Sequence, residues 1–226
     1  MTSNAPRPRS RRERPAKPAL SHEGIVDTAV RLMESDGLQR VTMRRLAQEL
    51  DTGPASLYVY VANTDDLHAA MLERLLGAVE LTPPAEDWRE RLVQVLASYT
   101  HVLFAHPGLA RAAVAVRPNG PHYLALVETI LALLHEGGVP DGQAAWGVDV
   151  LLQVATATAA EHATRAADGT SVRAHDDAIA ALRGACADRH PRIAALGDDL
   201  YSGAPEQRLA WAFRAVINGT GGTPRT

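Results

Sequence analysis

The chain has 226 residues, 46 % of them hydrophobic but only 4 % aromatic, and a formal net charge of −3. That length allows one domain, or a small head with a larger body. The hydrophobic fraction excludes a disordered chain, and the shortage of aromatics beside abundant Ala and Leu favours helices over a β-rich fold. One cysteine, Cys186, excludes an internal disulfide or a cysteine-only metal cluster.

Charge is unevenly spread. Residues 1–60 carry 10 Lys/Arg against 7 Asp/Glu, a net of +3; residues 61–226 carry 13 against 19, a net of −6. Residues 1–20 hold Arg7, Arg9, Arg11, Arg12, Arg14 and Lys17 with Pro6, Pro8, Pro15 and Pro18, which oppose a helix. They read as a disordered basic arm, either a solvated tail or one that neutralises phosphates and enters a minor groove. No apolar core follows the basic start, and no apolar run reaches about 18 residues, so neither a secretory signal nor a membrane span is expected. The expected location is the cytoplasm.

Ser21 caps a first predicted helix, whose apolar positions from Ile25 to Met33 recur at helical spacing and which Gly37 ends. Thr42 caps a second, striped by Met43, Leu46, Ala47 and Leu50. Asp51-Thr52-Gly53 is a turn, and Pro54 opens a short third helix to about Tyr60. Asn63 begins a fourth, running to about Val79. Pro83-Pro84 separates head from body. Body helices follow over about 86–105, 108–116, 122–135, 141–167 and 174–188. A loop covers 197–204, and a final helix runs from Pro205 to Ile217, stopped by Asn218-Gly219, with a flexible tail from 220 to 226. The expected fold is all-α, with about ten helices divided into a head over 21–66 and a body over 67–219.

Two short helices joined by three residues, after a packing helix, have the layout of a helix-turn-helix. Ala47 supplies the small residue at their crossing, and Leu46, Leu50 and Leu57 hold the pair to the first helix. Ser56, Tyr58 and Tyr60 then face outward, where base edges would lie. Any short helical hairpin shares this spacing, and packing inside the head is the alternative for both tyrosines.

The stretch Val41-Thr42-Met43-Arg44-Arg45-Leu46-Ala47-Gln48-Glu49-Leu50, with Ala55-Ser56-Leu57-Tyr58-Val59-Tyr60-Val61 and Leu67, strongly resembles the TetR family of bacterial transcription regulators. The body resembles its tetracycline-repressor branch in Glu86-Asp87-Trp88, Arg117-Pro118, Tyr123 with Val127-Glu128-Thr129, Glu136 with Gly138, and Glu161. The resemblance implies a dimeric, ligand-responsive repressor of a palindromic DNA operator. It implies that Arg44 reads a base, as a guanidinium can do on guanine O6 and N7. It further implies that Thr42 reaches phosphate while capping its helix, that Pro54, Ala55 and Ser56 open the recognition helix, and that Tyr58 and Tyr60 contact phosphate. The lysine the family often places early in the fourth helix is Thr64 here, so one phosphate contact is missing.

For the body, the resemblance implies a small effector, for which Val95, Tyr99, Leu103, Val116, Trp146, Val150, Gln153 and Glu161 offer a mostly apolar cavity suited to a largely apolar molecule, with ordinary core packing as the alternative for each. It also implies a four-helix dimer interface involving Ala157, Ala160, Leu209, Trp211, Phe213 and Val216, for which packing within one chain is the alternative. The histidine and threonine that hold magnesium–tetracycline on the linking helix are Ala113 and Val116 here, and the histidine ending the fourth helix is Glu80. A magnesium-chelated drug therefore does not fit, and no metal or cofactor is expected. Two other readings stay open. One is a DNA-binding regulator that is constitutive or partner-controlled. The other is a metal-dependent helical enzyme using His162, His175, Asp176 and Asp177.

Overall fold

In the computed structural model the described residues are 19–167 and 169–225, and every regular element among them is a helix. The basic arm lies outside the described residues up to position 18. Helix α1 (His22–Asp36) starts where the Ser21 hydroxyl accepts from the Gly24 amide, with Glu23 at its positive end. Gly37, at φ +84°, ends it by donating to Met33 O, and a 3₁₀ turn over Leu38–Arg40 follows. In α2 (Met43–Glu49) the Thr42 hydroxyl accepts from the Arg45 amide at 3.2 Å. Asp51 then takes the left-handed conformation, φ +47°, and Thr52 donates to Ala47 O, which reverses the chain in three residues. Helix α3 (Pro54–Leu57) is shorter than the spacing predicts, although Tyr60 and Val61 both donate to Leu57 O and extend it as a turn. Helix α4 (Thr64–Leu76) is capped by Asn63, which accepts from Asp66, while Asp66 accepts from Ala62.

The body comprises α5 (Trp88–Ala105), α6 (Pro107–Ala112), α7 (Pro121–Glu136), α8 (Asp141–Ala167), α9 (Gly169–Arg183), α10 (Pro191–Leu196) and α11 (Pro205–Gly222). The longest helix, α8, packs against α5, α6, α7 and α11, while α4 reaches from the head onto α6 and α7. One cluster of buried side chains runs without a break from Ile25 and Leu46 in the head through Met71 and Leu72 to Leu92, Leu151 and Phe213 in the body. Burying this apolar surface is the main term holding head to body.

Further departures from the sequence reading lie after α8. Helix α9 starts and ends about five residues early. Helix α10 and a 3₁₀ turn over Gly197–Tyr201 occupy a stretch read as coil and loop. Helix α11 passes through Gly219 to Gly222, into the expected tail, because α8 supplies its C-terminal partners. The Gln143 side-chain amide donates to the carbonyls of Thr220, Gly221 and Thr223. Gly147 permits this approach, since a Cβ there would lie 2.4 Å from the Thr220 methyl.

Candidate nucleic-acid interface and ligand cavity

The head presents one surface built from the end of the turn, α3 and the start of α2. Leu46, Ala47, Leu57 and Val61 are buried, which fixes the two short helices against α1. What remains outside is Thr42, Arg44, Pro54, Ala55, Ser56, Tyr58, Val59 and Tyr60. Two neighbouring arginines differ sharply. Arg45 pairs with Glu49 at 3.0 Å and Asp36 at 3.8 Å. Arg44 is exposed and has neither a hydrogen bond nor an ion pair with any described residue. The tyrosines differ as well. Tyr58 is 54 % exposed and its hydroxyl has no partner among the described residues, whereas the Tyr60 hydroxyl donates to Leu20 O at 2.9 Å. Tyr60 therefore already uses its one O–H donor inside the head. Val59, 79 % exposed, is not among the residues expected at this surface; helical phase, which points it away from Leu57, is the signal that finds it.

In the body a cavity of about 320 Å³ is lined by Leu72 of α4, Tyr99 of α5, the segment Ala113–Pro118, Tyr123 of α7, and Leu152, Gln153, Thr156 and Ala157 of α8. Its walls are mostly apolar. Of its polar side chains, Tyr99, Thr156, Gln153 and Arg117 already have protein partners, whereas the Tyr123 hydroxyl has none among the described residues. The Tyr99 and Thr156 hydroxyls share a hydrogen bond of 2.8 Å, and burial holds the Tyr99 phenol above its ordinary pKa against the opposing pull of that bond. At the rim Asp149 accepts from Gln153 at 3.0 Å and pairs with Arg117 at 3.3 Å.

The family profile for "Bacterial regulatory proteins, tetR family" matches residues 25–71, and the profile for "Tetracyclin repressor-like, C-terminal domain" matches residues 82–219. The chain belongs to the TetR family. A Streptomyces transcription regulator, SCO7704, is 58 % identical, with a TM-score of 0.79 over 93 % of this chain and 98 % of that one. ActR from Streptomyces coelicolor, solved in complex with actinorhodin, is 33 % identical, with a TM-score of 0.77 over 89 % and 97 % of the two chains. A curated HTH-type transcriptional regulator from Saccharopolyspora erythraea is 36 % identical over 126 residues, 54 % of this chain and 52 % of that one. The match thus spans about half the length of that relative.

Within this TetR-family body, the residues expected to line a cavity divide. Tyr99, Val116 and Gln153 do meet around the space described. Val95 and Leu103, one turn either side of Tyr99, are packed in the core, and only the longer tyrosine reaches the cavity. Trp146 and Val150 are 55 % and 43 % exposed on the outer face of α8, where the Arg225 guanidinium stacks 4.3 Å from the Trp146 ring. Glu161 lies beyond that face and pairs with Arg165 at 3.4 Å. Sequence reasoning left out Leu72, Arg117, Tyr123 and Asp149. For Tyr123 the aromatic at the start of an apolar helix was a usable signal; the other three become visible only when the helices pack.

The residues expected at a dimer interface divide too. Phe213 is fully buried in its own chain, filling the space between α11 and the body core. Trp211 is 71 % exposed, Ala157 is exposed, and Ala160, Leu209 and Val216 are half-buried. The histidines weighed for a metal are apart in role. His162 packs its ring 4.8 Å from Phe104, while His175 faces an open groove between α8, α9 and α11. No three His, Cys, Asp or Glu side chains converge as a metal site among the described residues. No helix among them is long and apolar enough to cross a membrane.

Proposed function

We propose that this protein is a cytoplasmic repressor that binds a palindromic operator as a homodimer and is released by a small, largely apolar effector. Arg44 carries the reading. It is a charged side chain on the outer face of a helix-turn-helix, held in no ion pair with a described residue, beside an arginine paired with both Asp36 and Glu49. An unpaired guanidinium is free to make the bidentate contact with guanine. Thr42, Pro54, Ala55 and Ser56 surround it, Tyr58 supplies a phosphate donor, and Val59 suits a thymine methyl. Residues 21–66 act as the reading head and 67–219 as the effector and dimer unit, and no catalytic step is involved. Two copies meet through α8 and α11, with Trp211, Leu209, Val216, Ala157 and Ala160 at the seam. The paired heads then enter successive major grooves about 34–36 Å apart.

The effector occupies the cavity around Tyr99, Val116 and Gln153. Its volume is near the lower limit of about 300 Å³ for ligand sites, which suits a compact molecule or a space that opens on binding. The effector acts only through its preference for one head position over another. A gel shift tests the reading, using the purified protein, the intergenic DNA beside its gene, and a compound panel that includes actinorhodin, the molecule bound by ActR. Specific retention reversed by one compound supports it. Retention that no compound reverses favours a constitutive or partner-controlled regulator, and no retention counts against the operator assignment.

A further inference from the structure

One contact between α4, the helix that leads out of the reading head, and the wall of the effector cavity is made by Glu73, two and a half turns into α4. Its carboxylate caps the N-terminus of α7. Glu73 Oε1 accepts from the His122 amide at 2.6 Å and lies 3.1 Å from His122 Nδ1, and Oε2 accepts from the Tyr123 amide at 3.1 Å. Two of the otherwise unpaired amides of a helix start are thus held by a charge from another helix, an arrangement in which both the hydrogen bonds and the helix dipole favour the carboxylate. The side chain is only 16 % exposed. Gly120 completes the seat, because a Cβ there would lie 2.5 Å from Glu73 Cδ and 2.6 Å from Oε1. Gly120 has φ −91° and ψ −175°, a conformation open to any residue, so what its missing side chain provides is room for the carboxylate.

The position of this clamp gives it a role. Tyr123, whose amide Glu73 holds, lines the effector cavity, as do Val116 and Arg117 of the connecting segment. The opposite side of that segment faces a second space of about 670 Å³ between α1, α4 and the start of α7, which Val26, Ala69, Ala70 and Pro121 also line. The connector from 115 to 121 is therefore a partition between the effector cavity and the head, and Glu73 ties its α7 end to α4. Leu72 of α4, the residue next to Glu73, lines the cavity directly.

We infer that Glu73 is the positioning residue through which the state of the cavity wall sets the position of the head, and that Gly120 is its required counterpart. The inference rests on the ligand-responsive repressor reading above. Linkage makes such a coupling reciprocal: a duplex bound to the head must alter the first turn of α7 just as an effector there alters the head.

The test uses the full chain and a duplex that the wild type selects from a random-sequence pool, and reads amide hydrogen exchange at residues 122–126. In the wild type, duplex binding shifts this exchange by about fivefold or more, the lower end of usual coupling strengths. In Glu73→Ala and in Gly120→Ala the duplex still binds within about twofold of the wild type, but the shift at 122–126 disappears. Glu73→Gln, which keeps one acceptor oxygen, restores part of it. The decisive comparison is the double variant. Gly120→Ala acts by displacing the carboxylate, so in the Glu73→Ala background it changes nothing further, whereas two unrelated structural lesions would add. A wild type whose α7 amides ignore the duplex overturns the inference, as do single variants that keep the shift or effects that add in the double variant. A wild type that selects no duplex is a separate result: it removes the repressor reading, and the inference falls with it.

Discussion

The two candidate sites of this molecule are built in opposite ways. The head's site is local and exposed. All eight of its side chains lie within 19 residues, on three adjoining pieces of chain, and Arg44 and Tyr58 have no side-chain partner among the described residues. The body's site is assembled from α4, α5, α7, α8 and the connector after α6, and most of its polar side chains, Tyr99, Thr156, Gln153 and Arg117, are already bonded within the protein. A free polar group on the surface costs nothing while water serves it, so a reading surface can be left open. A buried one must be paired, so a cavity has to satisfy its own polar atoms until a ligand takes them over. The head is therefore poised to bind, while effector binding has to displace bonds such as that between Tyr99 and Thr156.

The largest expected effect separates core from seam within the body. Phe213→Ala removes a fully buried ring and should cost about 3–5 kcal/mol in thermal or denaturant unfolding. Trp211→Ala, two residues away but mostly exposed, should change the stability of the monomer by no more than about 0.5 kcal/mol while raising the dimer dissociation constant in sedimentation. Equal losses from the two would mean that Trp211 is packed within its own chain. On the head, Arg44→Ala should weaken operator binding by about 1–3 kcal/mol and relax selectivity at one base position, whereas Arg45→Ala should do far less because Arg45 is committed to Asp36 and Glu49. A uniform loss across all sequences would make Arg44 a phosphate contact. Thr42→Ala should cost about 1 kcal/mol of stability through the lost cap, read by chemical denaturation.

The same contrast decides what could be read from sequence alone. Ser21, Thr42, Asn63 and Asp87 all cap helices, and each bonds to an amide no more than three residues ahead, so spacing suffices to find them. The helix-turn-helix is legible for the same reason. The stop at Gly219 fails because the groups that continue α11 come from Gln143, more than seventy residues back. Helix α10 was missed although Pro191 opens it in the same way that Pro54 opens α3. In the body, helical spacing selects Val95, Tyr99 and Leu103 as one stripe, and they do share a face, but only packing determines that two end in the core and one reaches the cavity. Glu73 looks like an ordinary surface acid within α4, since its partners are forty-nine and fifty residues away.

The smallest effects sharpen the head's own division between free and engaged groups. Tyr58 and Tyr60 are equivalent by pattern, two aromatics two residues apart after Leu57, with phosphate contact or packing inside the head open to both. The Tyr60 hydroxyl donates to Leu20 O, which ties the chain just before α1 to the end of the recognition segment. A phosphate oxygen can only accept, so Tyr60 has to give up that bond to reach one. Tyr60→Phe should cost about 0.5–1.5 kcal/mol of stability, the net worth of one hydrogen bond, and leave operator affinity unchanged. Tyr58→Phe should do the reverse, with no loss of stability and a weaker complex of unchanged salt dependence, because the uncharged hydroxyl has no partner among the described residues and releases no counterion. If Tyr60→Phe instead weakens binding and leaves stability intact, the hydroxyl swings from Leu20 to the DNA, and the beginning of α1 is released as the operator is bound.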